Sequence, residues 1–121
     1  MFEIEKYIKE NGECPVDSFV NDLLNDGQKM LVTKMLHYIN ILEQIGFDIL
    51  KINNYAKQLT DSIYELRPKS NRILFFYYSD DGKFILLHCF KKKTQKTPKN
   101  EIIKAQNEIK DYITRRKNNA K

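Results

Sequence analysis

The chain has 121 residues, of which 41% are apolar and 31% are charged. This length predicts a single domain over residues 1–121 with one modest core, and the composition is too rich in large apolar residues for a disordered segment. No apolar run approaches the roughly 18 residues of a membrane-spanning helix, and acidic Glu3 and Glu5 do not fit the basic start of a leader peptide. We therefore expect a cytoplasmic globular protein whose basic tail, residues 115–121, is frayed.

The charge of the chain is unevenly distributed. The net charge is +5, but residues 1–62 hold 6 Lys or Arg against 10 Asp or Glu, whereas residues 63–121 hold 15 against 6. Such asymmetry indicates that the second half faces a polyanion. The alternative interpretation is a lysine-rich surface that is simply solvated.

Several kinds of catalytic site are missing from the sequence. Cys14 and Cys89 form no CxxC pair, so we interpret both as reduced, partly buried thiols. The chain has no glycine-rich phosphate loop, no GxSxG and no HExxH, and its basic half has no cluster of carboxylates. We therefore expect neither a metal nor a cofactor.

The first half predicts one strand followed by two helices. Residues 2–7 alternate apolar and polar side chains, as a half-buried strand does. Pro15 suits the first position of a helix, and a second helix is predicted over residues 28–44 with Gly46 as its C-terminal cap. Residues 47–60 show no clear pattern and are predicted to be irregular. The second helix carries one apolar stripe: Leu31, Met35, Tyr38, Leu42 and Ile45.

The second half predicts three strands and a final helix. Residues 63–67, 72–78 and 83–90 are rich in branched and aromatic side chains, and the short connections between them favour an antiparallel meander. Thr97 and Pro98 then suit a helix start. The predicted order is β-α-α-β-β-β-α, an α+β domain whose mostly antiparallel sheet packs against two N-terminal helices.

Alternation along the strands decides which side chains share a face of the sheet. The apolar face that meets the helices is predicted to contain Tyr64, Leu66, Leu87 and Cys89. The opposite, open face is predicted to gather Glu65, Arg67, Arg72, His88, Phe90 and Lys92.

This open face has the side chains that RNA handling requires. Arginine donates planar, bidentate hydrogen bonds to phosphate, Phe90 could stack on a base, and His88 titrates near neutral pH and could transfer protons. A basic rim of Lys91, Lys92, Lys93, Thr94 and Lys96 follows. The alternatives stay open: a structural histidine, solvated lysines, and cross-strand charge pairing of Glu65 and Arg67. The residues alone indicate an RNA- or phosphate-binding α+β domain.

Three segments together resemble a known family. They are Tyr64-Glu65-Leu66-Arg67, Asn71-Arg72-Ile73-Leu74-Phe75-Phe76, and the run from Leu87-His88-Cys89-Phe90 through Lys91-Lys92-Lys93-Thr94-Gln95-Lys96-Thr97-Pro98. The pattern is similar to that of the phage-derived HigB-type branch of the RelE/ParE toxin superfamily. Cys89 is a departure, since small residues such as glycine are common there.

The resemblance implies a RelE-like fold and the toxin of a type II toxin–antitoxin system. Such toxins are mRNA interferases that act on the ribosome without a metal: the RNA 2′-OH attacks the adjacent phosphate and leaves a 2′,3′-cyclic phosphate. The expected partner is a HigA-like helix-turn-helix antitoxin, in a heterotetrameric complex. Arg67 and Arg72 match basic positions that contact the scissile phosphate, and Lys91–Lys93 match a basic stretch after the last strand.

The site predicted from the motif and the residues together has two parts. The catalytic set is Arg67, Arg72, His88 and Lys92, in which the proton-transfer role of His88 is our inference from its chemistry. The RNA-binding set is Glu65, Phe90, Lys91, Lys93, Thr94 and Lys96. Two rival functions remain: a ParE-like gyrase inhibitor, which would damage DNA and spare mRNA, and a ribosome- or RNA-binding module without catalysis.

Overall fold

The fold was obtained as a computed structural model, which describes residues 1–119. Its elements are β1 (Glu3–Lys6), α1 (Pro15–Asn25), α2 (Lys29–Ile45), a 3-10 turn (Gly46–Lys51), β2 (Ala56–Gln58), β3 (Tyr64–Leu66), β4 (Asn71–Tyr78), β5 (Lys83–Lys91) and α3 (Lys99–Asn119). The five strands form one sheet in the order β1-β5-β4-β3-β2. β1 runs parallel to β5, and every other pair is antiparallel. The α+β class is confirmed, with one strand more than predicted.

The additional strand, β2, lies in the segment that was predicted to be irregular. It has only three residues, and it pairs with β3 so that Lys57 lies opposite Glu65. Pairing with a neighbouring strand, more than any local sequence pattern, accounts for its extended backbone. The prediction of irregular structure over residues 47–60 is therefore wrong for residues 56–58.

Both faces of the sheet are covered by helices. α1 and α2 pack on one face, where Met35, Leu42, Leu66 and Phe84 belong to one buried cluster. α3 packs on the other face, where its buried residues meet a second cluster: Leu74, Phe76, Ile85, Leu87, Phe90, Ala105 and Tyr112. The prediction of one open face is therefore wrong over the part of the sheet that α3 covers.

A β-bulge changes which side chains of β5 face α3. The pairing of β4 with β5 shifts between Leu74 and Phe75, so that Leu74 lies opposite His88 while Phe75 lies opposite Leu86. Leu87 is left as the extra residue, and it packs in the α3-side cluster. Its predicted place beside Cys89 on the other face is wrong, because a bulge interrupts the strict alternation of side chains.

α3 begins one residue later than the Thr97–Pro98 signal predicts. The carbonyl oxygen of Pro98 accepts a hydrogen bond from the backbone N–H of Glu101 at 3.1 Å, so Pro98 occupies the cap position. The helix continues to Asn119, and therefore most of the tail that was expected to fray is helical; residues 120–121 lie outside the described part. None of the helices within residues 1–119 has the length and apolar character needed to cross a membrane.

The first prediction concerns Gly46, which ends α2. Its φ of 59° and ψ of −138° are accessible almost only to glycine, and an added Cβ would lie 2.6 Å from the Phe2 ring. We expect Gly46→Ala to lower the free energy of unfolding by about 1–3 kcal/mol, measured by urea denaturation. Repeating it in a Phe2→Ala background separates backbone strain from the ring contact. An unchanged urea midpoint in both backgrounds would show that alanine is tolerated at this position without backbone strain.

Candidate phosphate-binding site

The candidate site is built around the carboxylate of Glu65 on β3. Glu65 is 1% exposed. One of its oxygens, Oε1, accepts a hydrogen bond from the Thr97 hydroxyl at 2.6 Å. The other, Oε2, lies 3.5 Å from Arg67 Nε and 3.6 Å from Arg72 Nε. Both oxygens therefore face groups of the protein itself, and Glu65 is the shared carboxylate partner of two arginines. Its predicted contact with RNA stays a prediction.

Arg72, at the start of β4, is held in place mainly by backbone groups. Its Nη1 donates to the carbonyl oxygens of Asn71 at 2.7 Å and Lys69 at 2.9 Å. Burial lowers the pKa of the Arg72 guanidinium, and Arg67 lowers it further, while the Glu65 carboxylate raises it. The buried Nε makes no hydrogen bond within the described chain, since Glu65 is an ion-pair partner at 3.6 Å. The guanidinium of Arg72 is thus fixed in place, with a buried Nε–H that faces Glu65.

Lys92 lies just beyond β5, beside these arginines. Its backbone N–H donates to the carbonyl oxygen of Ser70 at 2.7 Å, which fixes the start of the lysine-rich segment against the loop before β4. Partial burial lowers the pKa of the Lys92 ammonium, and so do nearby Arg72, Arg67 and Lys57, whereas Glu65 raises it. An ammonium held among three other cations is poised to release a proton more easily than a free lysine.

Lys57 is the member of this cluster that sequence reasoning missed. It lies on β2, directly opposite Glu65, and its charge acts on Lys92. The only available signal was an isolated lysine in a segment without a clear period. We define the cationic cluster as Lys57, Arg67, Arg72 and Lys92.

A hollow of about 490 Å³ opens beside two members of this cluster, Arg72 and Lys92. Its lining consists of Ser70, Arg72, Lys92, Lys93, Thr94 and Gln95. Lys93 and Lys96 are exposed nearby, and the Thr94 hydroxyl donates to the carbonyl oxygen of Lys96 at 2.7 Å, which shapes the turn before α3. Hydroxyl, amide, ammonium and guanidinium groups around one opening suit a phosphodiester. We call this opening the anion hollow.

Lys91 is not brought to this hollow. It pairs with Asn71 across β4 and β5, and both residues line a separate hollow of about 450 Å³ beside Phe19 and Leu23 of α1. Alternation along β5 explains this placement, because Lys91 and Lys92 point to opposite faces of the sheet. The proposed grouping of Lys91 with the other lysines is therefore wrong in geometry.

His88 lies on the predicted face but is covered by α3. It is 1% exposed, its Nδ1 is 2.6 Å from Glu108 Oε1, and its Nε2 is 2.9 Å from Glu101 Oε1. Both ring nitrogens therefore already have a carboxylate partner on α3. With no nitrogen free and no access to solvent, His88 cannot transfer a proton to RNA in this conformation, which corrects its predicted catalytic role.

Phe90 is likewise covered. It lies opposite Arg72 on β4, but its ring packs in the α3-side cluster and is 8% exposed. It is therefore not available to stack on a base, contrary to prediction. Within residues 1–119, no three His, Cys, Asp or Glu side chains gather in a way that could hold a metal ion.

Residues 22–110 match the family described as "Phage derived protein Gp49-like (DUF891)". The chain belongs to this family. It is a RelE/HigB-type toxin family, so the predicted resemblance is confirmed. Among solved structures, the archaeal RelE–RelB complex from Pyrococcus horikoshii OT3 matches with a TM-score of 0.54 at 15% identity, over 78% of this chain and 98% of that chain. This likeness establishes a RelE-like fold. No curated protein matches the sequence.

The second prediction tests the structural role of His88. Removing its ring leaves Glu108 as a buried carboxylate and Glu101 as a partly buried one, both without this partner, so we expect His88→Ala to lower the free energy of unfolding by about 3–5 kcal/mol. Exposed His37 on α2 provides the matched control, and His37→Ala should leave the urea midpoint unchanged. If His88→Ala keeps the wild-type midpoint but loses activity, His88 has a catalytic role after all.

Proposed function

We propose that this protein is a ribosome-dependent mRNA endoribonuclease, the toxin of a type II toxin–antitoxin pair. The observation that supports this most is the cationic cluster around buried Glu65, two members of which, Arg72 and Lys92, line the anion hollow. Preorganised donors of this kind stabilise charge that develops in a transition state. Membership of a RelE/HigB-type toxin family supports the same proposal.

The proposed reaction uses the RNA's own 2′-hydroxyl as the nucleophile. The 2′-oxygen forms a bond to the adjacent phosphorus while the bond from phosphorus to the 5′-oxygen breaks, giving a 2′,3′-cyclic phosphate and a 5′-hydroxyl. Arg67 and Arg72 stabilise the charge on the phosphoryl oxygens. Lys92, whose pKa is lowered by burial and neighbouring cations, accepts the 2′-OH proton and then returns it to the 5′-oxygen.

We further propose a protein partner that keeps the enzyme inactive. The archaeal neighbour is RelE in complex with RelB. For this chain the proposed partner is a HigA-like helix-turn-helix antitoxin, in a heterotetramer, that covers the cationic cluster. The ribosome and mRNA are the proposed targets, and the exposed lysines Lys93 and Lys96 would contact their phosphates by charge.

The third prediction tests the two arginines. Loss of one preorganised charge donor commonly lowers the rate by about 10²–10³, so Arg67→Ala and Arg72→Ala should each abolish growth arrest and reduce cleavage of ribosome-bound mRNA by that factor. Arg116→Ala is the matched control. Arg116 lies near the end of α3, where it pairs with Asp81 of the turn between β4 and β5, so its removal should leave activity unchanged.

The result of that experiment also separates the rival functions. Mapping the 5′ ends of transcripts after brief induction should show new ends that depend on Arg67 and Arg72. Induced DNA damage with intact mRNA would instead support a gyrase inhibitor. Blocked translation with neither lesion would support a binding module without catalysis.

The fourth prediction tests the nucleophile. Cleavage should leave a 2′,3′-cyclic phosphate and should stop when the nucleotide before the cut carries a 2′-O-methyl or 2′-deoxy group, because the attacking hydroxyl is then missing. Mass spectrometry of the fragments and gel analysis of matched substrates give the readout. A 3′-hydroxyl product would mean that water attacks.

The fifth prediction concerns pH. A base must be neutral to accept a proton, so the cleavage rate should rise with pH until it passes the pKa of Lys92, which is held below the usual 10.5. Lys92→Arg keeps the positive charge but cannot act as a base, and it should be slower by about 10²–10⁴ without the rising limb. If Lys92→Arg retains the wild-type rate and profile, Lys92 acts by charge alone.

A further inference from the structure

A second, smaller hollow adjoins the anion hollow. It has a volume of about 230 Å³ and lies between β2, the lysine-rich segment and the start of α3. Lys92 and Gln95 line both hollows, so the two openings share a wall. A ligand whose anionic group binds Lys92 in the anion hollow therefore places the neighbouring part of the molecule at the opening of the second hollow.

The floor of this second hollow is apolar. Leu59 and Ile102 line it, and both are half-buried against the α3-side core. A phosphate could contact Lys57, Lys92 and Lys96, which also line the hollow, but the two aliphatic side chains offer it no donors and would take away its water. The two aliphatic side chains suit instead a group with a flat or apolar surface.

The hollow also carries uncharged polar side chains beside its charged residues, which are Lys57, Glu65, Lys92 and Lys96. Gln58 and Gln95 are exposed there, and Thr97 completes the rim. Gln58 donates from Nε2 to the carbonyl oxygen of Thr60 at 3.0 Å, which directs its amide and leaves Oε1 as an acceptor. The Glu65 carboxylate also borders the hollow, but Thr97 and the two arginines already occupy its oxygens.

We propose that this hollow is a nucleobase subsite: it receives the base adjacent to the phosphate held by Arg72 and Lys92, with Leu59 and Ile102 against its face and Gln58 and Gln95 at its edge. This inference rests on the proposed ribonuclease function and names the residues that would set its sequence preference. A nucleotide combines an anion with a flat base that has polar edges, and the two adjoining hollows match these two parts.

The decisive experiment compares glutamine variants in cleavage of ribosome-bound mRNA with one randomised codon. Gln58→Ala should reduce discrimination at a single nucleotide position by about three- to tenfold, the effect of one hydrogen bond. Gln95→Ala should reduce discrimination by a similar factor and should also lower total cleavage, because Gln95 lines the anion hollow as well. Gln106→Ala is the matched control, because Gln106 is exposed on α3 away from the hollow. Unchanged preferences in both rim variants would overturn the subsite.

A second measurement needs no cleavage. A single-stranded RNA oligonucleotide with one abasic position should bind the wild-type protein about tenfold more weakly than the intact oligonucleotide when that position is the one read. Ile102→Ala should lose most of this difference. Equal affinity for every abasic position would overturn the inference, whereas failure of the wild type to cleave any mRNA would overturn the proposed function and leave this binding comparison to decide the subsite.

Discussion

A single buried carboxylate, Glu65, connects the fold to the candidate site. Taking a carboxylate out of water is expensive, and Glu65 is tolerated because Thr97 bonds one oxygen while Arg67 and Arg72 face the other. The same contacts restrict the two long arginine side chains before any ligand arrives. Removing Glu65 would therefore do more than weaken stability, since Arg67 would lose its carboxylate partner and Arg72 would keep only its bonds to backbone carbonyl groups.

The charges around Glu65 do not balance, because one carboxylate faces the four cations of the cationic cluster. Repulsion within this cluster lowers the pKa of both Arg72 and Lys92, with burial as the larger cause in each. A phosphodiester in the anion hollow would supply the missing negative charge. Substrate binding would therefore reduce the repulsion between these cations. A cluster of like charges lowers the stability of the free protein, but it favours the binding of a polyanion.

The sequence predicted the α+β class, the element order apart from β2, and the shared face of Glu65, Arg67, Arg72 and Lys92. It could not predict what covers that face. Alternation assigns side chains to the two faces of a sheet. The segment Ile73-Leu74-Phe75-Phe76, however, is apolar on both faces, which is typical of a strand that is buried on two sides. His88 and Phe90 were nevertheless assigned to solvent. Lys57 was missed because the extended structure of β2 comes from its pairing with β3.

The β-bulge explains why a buried histidine still bears on the site. With strict alternation after Leu86, His88 would face α1 and α2; the extra residue Leu87 turns it toward α3. There it binds Glu101 and Glu108 and anchors the first turns of that helix. Thr97, four residues before Glu101, is thereby held where it can bond Glu65. His88 thus bears on the cationic cluster through position, because its contacts hold the start of α3 and the Thr97 hydroxyl just before that helix bonds Glu65 beside the arginines.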